Sequence, residues 1–373
     1  MPDSVTSRRQ VSADPSDHRL TAAVLLVGIV MLAFNLRAAI TSLPPLFPEL
    51  ATHLHLSLAA VALLAATPAL CFAAFSGTAA PLSRWFGEER VLLAALVLLA
   101  AGLVLRGAAP HWLLFPGTVL ACAAIALMNV LLPSLIKRRD PARAGWLIGI
   151  YLLSMSAGAV LAALLAVPVF TASGGSVPLA LAGWALPAIV ATGVWLPQLR
   201  FRTAPAGPAG ARLVGPPRLK VTRYWLTWQV MAFMGLQSLV YYAALSWMPT
   251  LFRDRGVSAV QAGTLLALMQ LGGAGTSLLL PVLAHRSRDQ RWLTGVVVAV
   301  AAVGLAGAAF APVGGAAGWV LVLGAGQGAA LGLAIYFTMA RAPDPVAAAS
   351  LSAFAQGAGY LVASAGPLMV GFL

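Results

Sequence analysis

From Leu20 to the end of the chain, apolar runs of about 20 residues alternate with short polar gaps, and nearly all the charges fall in the gaps. A run of that length crosses a hydrocarbon core of roughly 30 Å as a helix, with its backbone N–H and C=O groups satisfied inside the segment. With prolines and glycines as further punctuation, the pattern predicts eleven spans, near 20–43, 58–80, 90–109, 112–136, 144–170, 177–197, 224–249, 259–284, 292–311, 316–340 and 348–373. Strands alternating lipid-facing and lumen-facing residues are not present in the pattern, which excludes a β-barrel. The fold class is an all-α membrane protein.

The gaps differ in charge. If the N-terminus is cytoplasmic, nineteen of the 23 Lys and Arg fall in the cytoplasmic gaps, and only Arg106, Arg253 and Arg255 lie on the other side. That asymmetry sets the N-terminus inside the cell and places the chain as a multi-pass protein of the cytoplasmic membrane. The remaining basic residue is Arg37, inside the first span. Composition agrees, since 60% of the 373 residues are hydrophobic and 9% charged, too apolar for a solvated surface. The net charge of +13 does not imply nucleic acid, because the basic residues are not gathered on one soluble face among exposed aromatics. Cys71 and Cys122 fall within spans as small hydrophobes, so no disulfide framework is implied.

Residues 1–19 are polar and read as a disordered cytoplasmic tail; the apolar run after them is too long for a signal peptide and lacks a cleavage site. Six spans over 20–197 form one bundle, a Pro-, Gly- and Arg-rich stretch over 198–223 reads as a cytoplasmic linker, and five spans over 224–373 form a second. The two parts echo each other at offsets near 200 to 205. "PLSRWFGEERVLL" recurs as "PVLAHRSRDQRWL", "SLPPLF" as "SWMPTLF", and Asp140-Pro141 as Asp344-Pro345. Paired helical halves are a common plan of secondary transporters.

These features, with "NLRAAITSLPPL" in span one, "MNVLLPSLIKRRDP" closing span four, "GLQSLVYYAALSWMP" in span seven, "GAGQGAALGLA" in span ten and "SAFAQGAGYLVASAGPL" in span eleven, resemble the major facilitator superfamily and, within it, the cyanate and nitroimidazole transporter family. The resemblance runs from about residue 20 to the end. It implies two pseudo-symmetric helical bundles around a central cavity that opens alternately to each side. It also implies a peripheral twelfth span, whereas the eleventh run ends at Leu373, as in a truncated form or an incomplete topology.

Arg37 is the leading candidate for chemistry. An arginine at mid-membrane costs about 2.5–3.5 kcal/mol on insertion scales, so it should face the bundle interior or water. Its planar fork of donors suits a flat anion. The alternative is an arginine satisfied by carbonyls or capping a neighbouring helix. The resemblance points to substrate binding by this span-one arginine, and Thr41 shares its helical face. Asn35, Asn129, Gln237, Gln270, Gln327 and Gln356 are amides inside spans, where hydrogen bonding between helices is the competing explanation. Asn35 stands beside Arg37, and Asn129, Gln237 and Gln356 lie in motifs that carry the resemblance, so these four are assigned to the cavity. Tyr241 and Tyr360 follow Gln237 and Gln356 by one helical turn and fit either cavity or packing, while Trp247 fits the interfacial aromatic belt.

Arg84, Glu88 and Arg90, with Asp289 and Arg291 in the second half, are expected by the resemblance to gate the conformational cycle; positive-inside anchoring is the alternative. No acidic residue lies in the middle of a span, so Glu49 near the outer end of span one is the candidate for proton coupling. Gly324, Gly328 and Gly332, and likewise Gly145 and Gly149, recur every fourth residue as close-packing positions. "GAGQG" follows no soluble strand and precedes no phosphate-binding lysine. His53 and His55 have no third ligand nearby. No enzyme, cofactor or metal is therefore expected. The sequence predicts a monomeric secondary transporter of a small anionic or planar polar solute, cyanate-like or nitroimidazole-like. Its rivals are a multidrug exporter with a broad apolar cavity and a non-transporting receptor or scaffold.

Overall fold

The computed structural model describes residues 15–201, 223–287, 289–342 and 345–372, so most of the predicted tail and linker, with Arg288 and Asp344, lie outside the described residues. Helix α1 (Pro15–Thr41) starts about one turn ahead of the predicted span. It stops before Pro44-Pro45, whose missing N–H groups admit only a 3-10 turn before the short α2 (Phe47–His53). Ser57 then caps α3 (Leu58–Phe75) by accepting from the Ala60 amide at 3.2 Å.

The "RWFGEER" stretch is a helix, one glycine and a helix: α4 (Ala79–Phe86), Gly87 and α5 (Glu88–Arg106). Gly87 has φ +84°, which a residue with a side chain rarely adopts, so the chain can reverse there in a single residue. The first half closes with α6 (Leu114–Arg139), α7 (Ala144–Ala172) and a sixth span in two pieces, α8 (Val177–Ala182) and α9 (Ala185–Trp195). Gln198 is still buried, in a 3-10 stretch after α9. The second half comprises α10 (Trp225–Asp254), α11 (Ala259–Arg286), α12 (Gln290–Phe310), α13 (Ala316–Ala340) and α14 (Pro345–Phe372).

Among the described residues nine of these segments are long and apolar enough to cross a membrane. Of the helices at the eleven predicted places, α5 and α14 fall outside that count. Glu88, Glu89, Arg90 and Arg106 crowd the ends of α5, and in α14 the side chains of Pro345, Val346 and Ala349 lie outside the described residues. Large apolar side chains such as Leu153, Leu179, Leu271 and Leu361 are exposed, as a lipid-facing surface requires.

The packing repeats between halves. In the first, α1 lies on α7, α3 on α6, and α5 on α6; in the second, α10 lies on α14, α11 on α13, and α12 on α13. These are the same pairs of repeat positions, which makes the bundles pseudo-symmetric. The halves meet where α3 packs on α14 and α7 on α11, a reciprocal pair under the same symmetry.

Small residues set these contacts, because apolar surface alone gives helices in lipid little reason to associate. Side chains on Gly324 and Gly328 would run into the carbonyls of Met269 and Gly273, so α13 lies backbone to backbone on α11. Gly145 and Gly149 correct the expectation made for them: among the described residues nothing lies within 4 Å of a Cβ at either position.

Candidate substrate site

Arg37 projects from α1 into a cavity of about 90 Å³ between the halves, where α7 faces α10, α11, α13 and α14. Its Nη1 donates to Tyr241 Oη at 3.2 Å, and the guanidinium carbon lies 5.4 Å from the centroid of the same ring, in reach of a cation–π contact. Among the described residues this is the one hydrogen bond of the Arg37 side chain, and no carboxylate pairs with it. Most of the guanidinium's five donors therefore remain open to an occupant. Tyr241 Oη also accepts from Gln270 Nε2 at 3.0 Å, so α1, α10 and α11 are tied through one phenol.

Of the sequence-assigned residues, Arg37, Gln237, Tyr241 and Tyr360 line this cavity. Gln237 Nε2 is committed to its own helix, donating to Ser238 Oγ at 2.6 Å and to the Met234 carbonyl at 3.2 Å. Tyr360 stacks edge-on against Phe72, with centroids 5.3 Å apart, across the α3–α14 contact between halves.

Asn35, Thr41, Asn129 and Gln356 are not among the lining residues. Asn35 lies two residues from Arg37, about 200° around the helix. It donates to the carbonyls of Met31 at 2.8 Å and Pro187 at 3.2 Å, stitching α1 to α9. Thr41 is fully buried and its hydroxyl has no partner among the described residues. Asn129 accepts from Tyr151 Oη at 3.4 Å within the first half, and Gln356 donates to Ser352 Oγ at 2.9 Å one turn back on α14.

Arg106, counted by sequence with the outer gaps, is buried as well. Its Nη1 donates to the Ala39 carbonyl at 2.9 Å and its Nη2 to Ser42 Oγ at 3.5 Å. It places a positive charge at the C-terminal end of α1, where the last carbonyls lack helical partners and the helix dipole is negative. Arg106 thereby fixes the segment of α1 that carries Arg37.

Among the described residues the expected gating charges do not join the halves. Glu88 accepts from Ser134 Oγ at 3.1 Å and pairs with Arg138 at 2.9 Å, both on α6 of its own half. Arg84 bonds its own helix at the Ala80 carbonyl, and Arg90 is exposed. Asp289 caps α12, accepting from the Arg291 amide at 2.9 Å, and Arg291 is exposed. Acidic residues that open a helix are drawn to its positive end and to neighbouring basic ends in the same half.

Among the described residues the ion pair that links the halves is Glu49–Arg253, between α2 and α10. Glu49 is thus committed to a guanidinium and lies outside the cavity lining. At this same end, a methyl on Gly263 of α11 would stand 2.6 Å from the carbonyl oxygen of Ala163 on α7, and one on Gly371 of α14 would strike Ala62 on α3. Away from this end, a methyl on Gly145 or Gly149 of α7, Gly275 of α11 or Gly357 of α14 would meet nothing within 4 Å among the described residues.

A sequence model of the Major Facilitator Superfamily matches residues 25–367. The chain belongs to that superfamily. It is 39% identical over 351 residues to the 2-nitroimidazole transporter of Escherichia coli strain K12, covering 93% of this chain and 87% of that one. It is 30% identical over 353 residues to the cyanate transport protein CynX of the same strain, covering 94% and 89%. Among solved structures it is similar to a bacterial homolog of the human lysosomal transporter Spinster in an inward-facing, unoccupied conformation. The TM-score is 0.77 at 20% identity, over 96% of this chain and 83% of the other, a likeness of fold alone. The chain is a multi-pass membrane transporter of small solutes and not an enzyme.

As a major facilitator, it draws two more cavity amides from its second half than the sequence assignment did, Gln270 and Gln327. Both were recognisable as amides within spans. A partial signal was the small residues at helical spacing, Gly273 and Ala274 three and four places after Gln270 and Gly324 three places before Gln327. Those neighbours mark the faces on which α11 and α13 approach the interior.

Proposed function

We propose that the protein carries a small, flat, anionic or strongly polarised solute across the cytoplasmic membrane by alternating access, working as a monomer with Arg37 as the principal ligand. The observation that carries this reading is the Arg37 guanidinium, held by one phenol and paired with no carboxylate among the described residues, on the wall of a cavity between the halves. A half-buried cation without a counter-ion among the described residues favours an occupant that supplies the negative charge. The size of the cavity, about 90 Å³, also favours a small solute, since drug-sized ligands occupy pockets of about 300–1,000 Å³. The names of the two relatives, a nitroimidazole and a cyanate transporter, are consistent with such a solute.

By the positive-inside asymmetry the Glu49 end faces outward. The Glu49–Arg253 pair and the close backbone contacts at that end support a state closed to the outside, and the empty surroundings of Gly145 and Gly149 support one open toward the cytoplasm. In this reading Glu49 acts as half of an outer gate.

The test is a thermal-shift titration of purified protein with cyanate and with 2-nitroimidazole, alongside Arg37→Gln. Binding to the folded state raises the melting temperature with the logarithm of ligand concentration. The parent should respond, and Arg37→Gln should bind about 10- to 100-fold more weakly, the value of a charge-assisted hydrogen bond. Equal responses from the two proteins would make Arg37 a structural strut and end the proposal.

A further inference from the structure

We propose that Gln327 is a specificity-determining residue that reads a hydrogen-bonding edge of the solute. The preferred solutes are then small and planar, with an N–H donor at one edge and an electron-rich oxygen group at the other. This inference rests on the reading of the cavity as the substrate site.

The polar groups of the cavity lead to it. Gln237 spends its amide N–H groups on its own helix, and Gln270 is joined to Tyr241, which in turn receives Arg37. Gln327 lines the same cavity at 5% exposure and makes no hydrogen bond among the described residues; its Oε1 is wholly buried without a partner. A buried amide left unsatisfied is costly and calls for an explanation, here an occupant that is not part of the chain.

The amide is also held in place. Gly324 and Gly328, on either side of it, seat α13 directly against the backbone of α11. That fixes where the amide of Gln327 is presented.

The chemistry of the two open groups differs. Arg37 offers donors only, whereas an amide offers donors and an acceptor in one plane. Because oxygen and nitrogen of a glutamine amide can exchange places by rotation, Gln327 is matched by an edge that also holds both, such as an azole N–H beside a ring or substituent acceptor. Arg37 lies in the first half and Gln327 in the second, so a solute that meets both places its electron-rich group toward the guanidinium and its N–H edge toward α13. Cyanate and simple carboxylates have no N–H to give and leave the amide's acceptor unpaired.

The test uses the full-length chain in detergent or nanodiscs, with dissociation constants from thermal-shift titration. The probes are 2-nitroimidazole, its N-methyl derivative, a C-methylated 2-nitroimidazole of the same bulk that keeps the N–H, and cyanate. The parent should bind both N–H azoles about 10- to 100-fold more tightly than the N-methyl compound, the cost of leaving a buried acceptor unpaired. Gln327→Met should erase that preference.

A parent that binds the N-methyl compound as tightly as its C-methyl isomer overturns the assignment even if no variant folds. A Gln327→Met protein that keeps the preference also overturns it. Loss of all binding in Arg37→Gln alongside such a result leaves the arginine reading intact. An N–H preference that needs Gln327 but is indifferent to Arg37→Gln would sink the arginine reading and spare this one.

Discussion

Tyr241 shows how much one side chain can hold. Its hydroxyl accepts from Arg37 and from Gln270, and its ring lies beneath the guanidinium, so three helices depend on it for alignment at the cavity wall. Tyr241→Phe keeps the ring and removes both hydrogen bonds. It should destabilise the protein by about 1 kcal/mol and weaken solute binding several-fold, less than Arg37→Gln, as read by the same titration. A full loss of binding would instead make the phenol itself a solute ligand.

At this scale the sequence was only partly legible. Arg37 could be found because a charge within an apolar run must turn inward. The neighbouring Asn35 could have been placed from Arg37 itself, because two residues along a helix is about 200° round it and turns Asn35 away from the face that Arg37 holds. Arg106 was hidden. Near a span's end an arginine that snorkels to water and one that caps another helix look the same until the capped helix is known.

Among the elements, the spans were readable because length and apolarity suffice to define them. The break in the sixth, between α8 and α9, had no proline or charge at the break itself to announce it. Glycine spacing was a less secure guide. The every-fourth pattern in α13 marks a backbone-to-backbone seam with α11, whereas the same pattern at the start of α7 marks open space. The pattern states that a helix face is flat and is silent on whether anything lies against it.

The two cases separate by mutation. Gly328→Ala forces a methyl toward the Gly273 carbonyl and the Thr276 hydroxyl and should cost about 1–3 kcal/mol. Gly149→Ala meets nothing and should be neutral or stabilising by up to about 1 kcal/mol through helix propensity. Melting temperatures in detergent compare them directly, and equal losses would remove the seam from the account.

For the molecule as a whole, the internal repeat found at offsets near 200 to 205 reappears as matched helix pairs in the two halves. What the repeat could not disclose was where the halves touch, because those contacts are not local in sequence. The cytoplasmic charges are the expected latch, and in the proposed state, open toward the cytoplasm, such a latch is disengaged; among the described residues the ion pair that links the halves is Glu49–Arg253 at the other end. Glu49→Gln should favour opening at that end by on the order of 1 kcal/mol, roughly fivefold in the ratio of the two states. Cysteine-accessibility labelling from each membrane face would register the shift, and the exchanged pair Glu49→Arg with Arg253→Glu should reverse it. Labelling unchanged by Glu49→Gln would reduce the pair to a surface contact.

The backbone contacts beside that pair have a mechanical meaning. Where two rigid bodies lean together, the smallest residue at the point of contact sets how far they can travel. Gly263 on Ala163 and Gly371 on Ala62 let the halves close until main chain meets main chain or methyl. On the alternating-access reading proposed above, they fix the length of the stroke. On that reading a bulkier residue at either position would stop each stroke short and leave a slit at the end meant to be sealed, through which solutes and ions would leak.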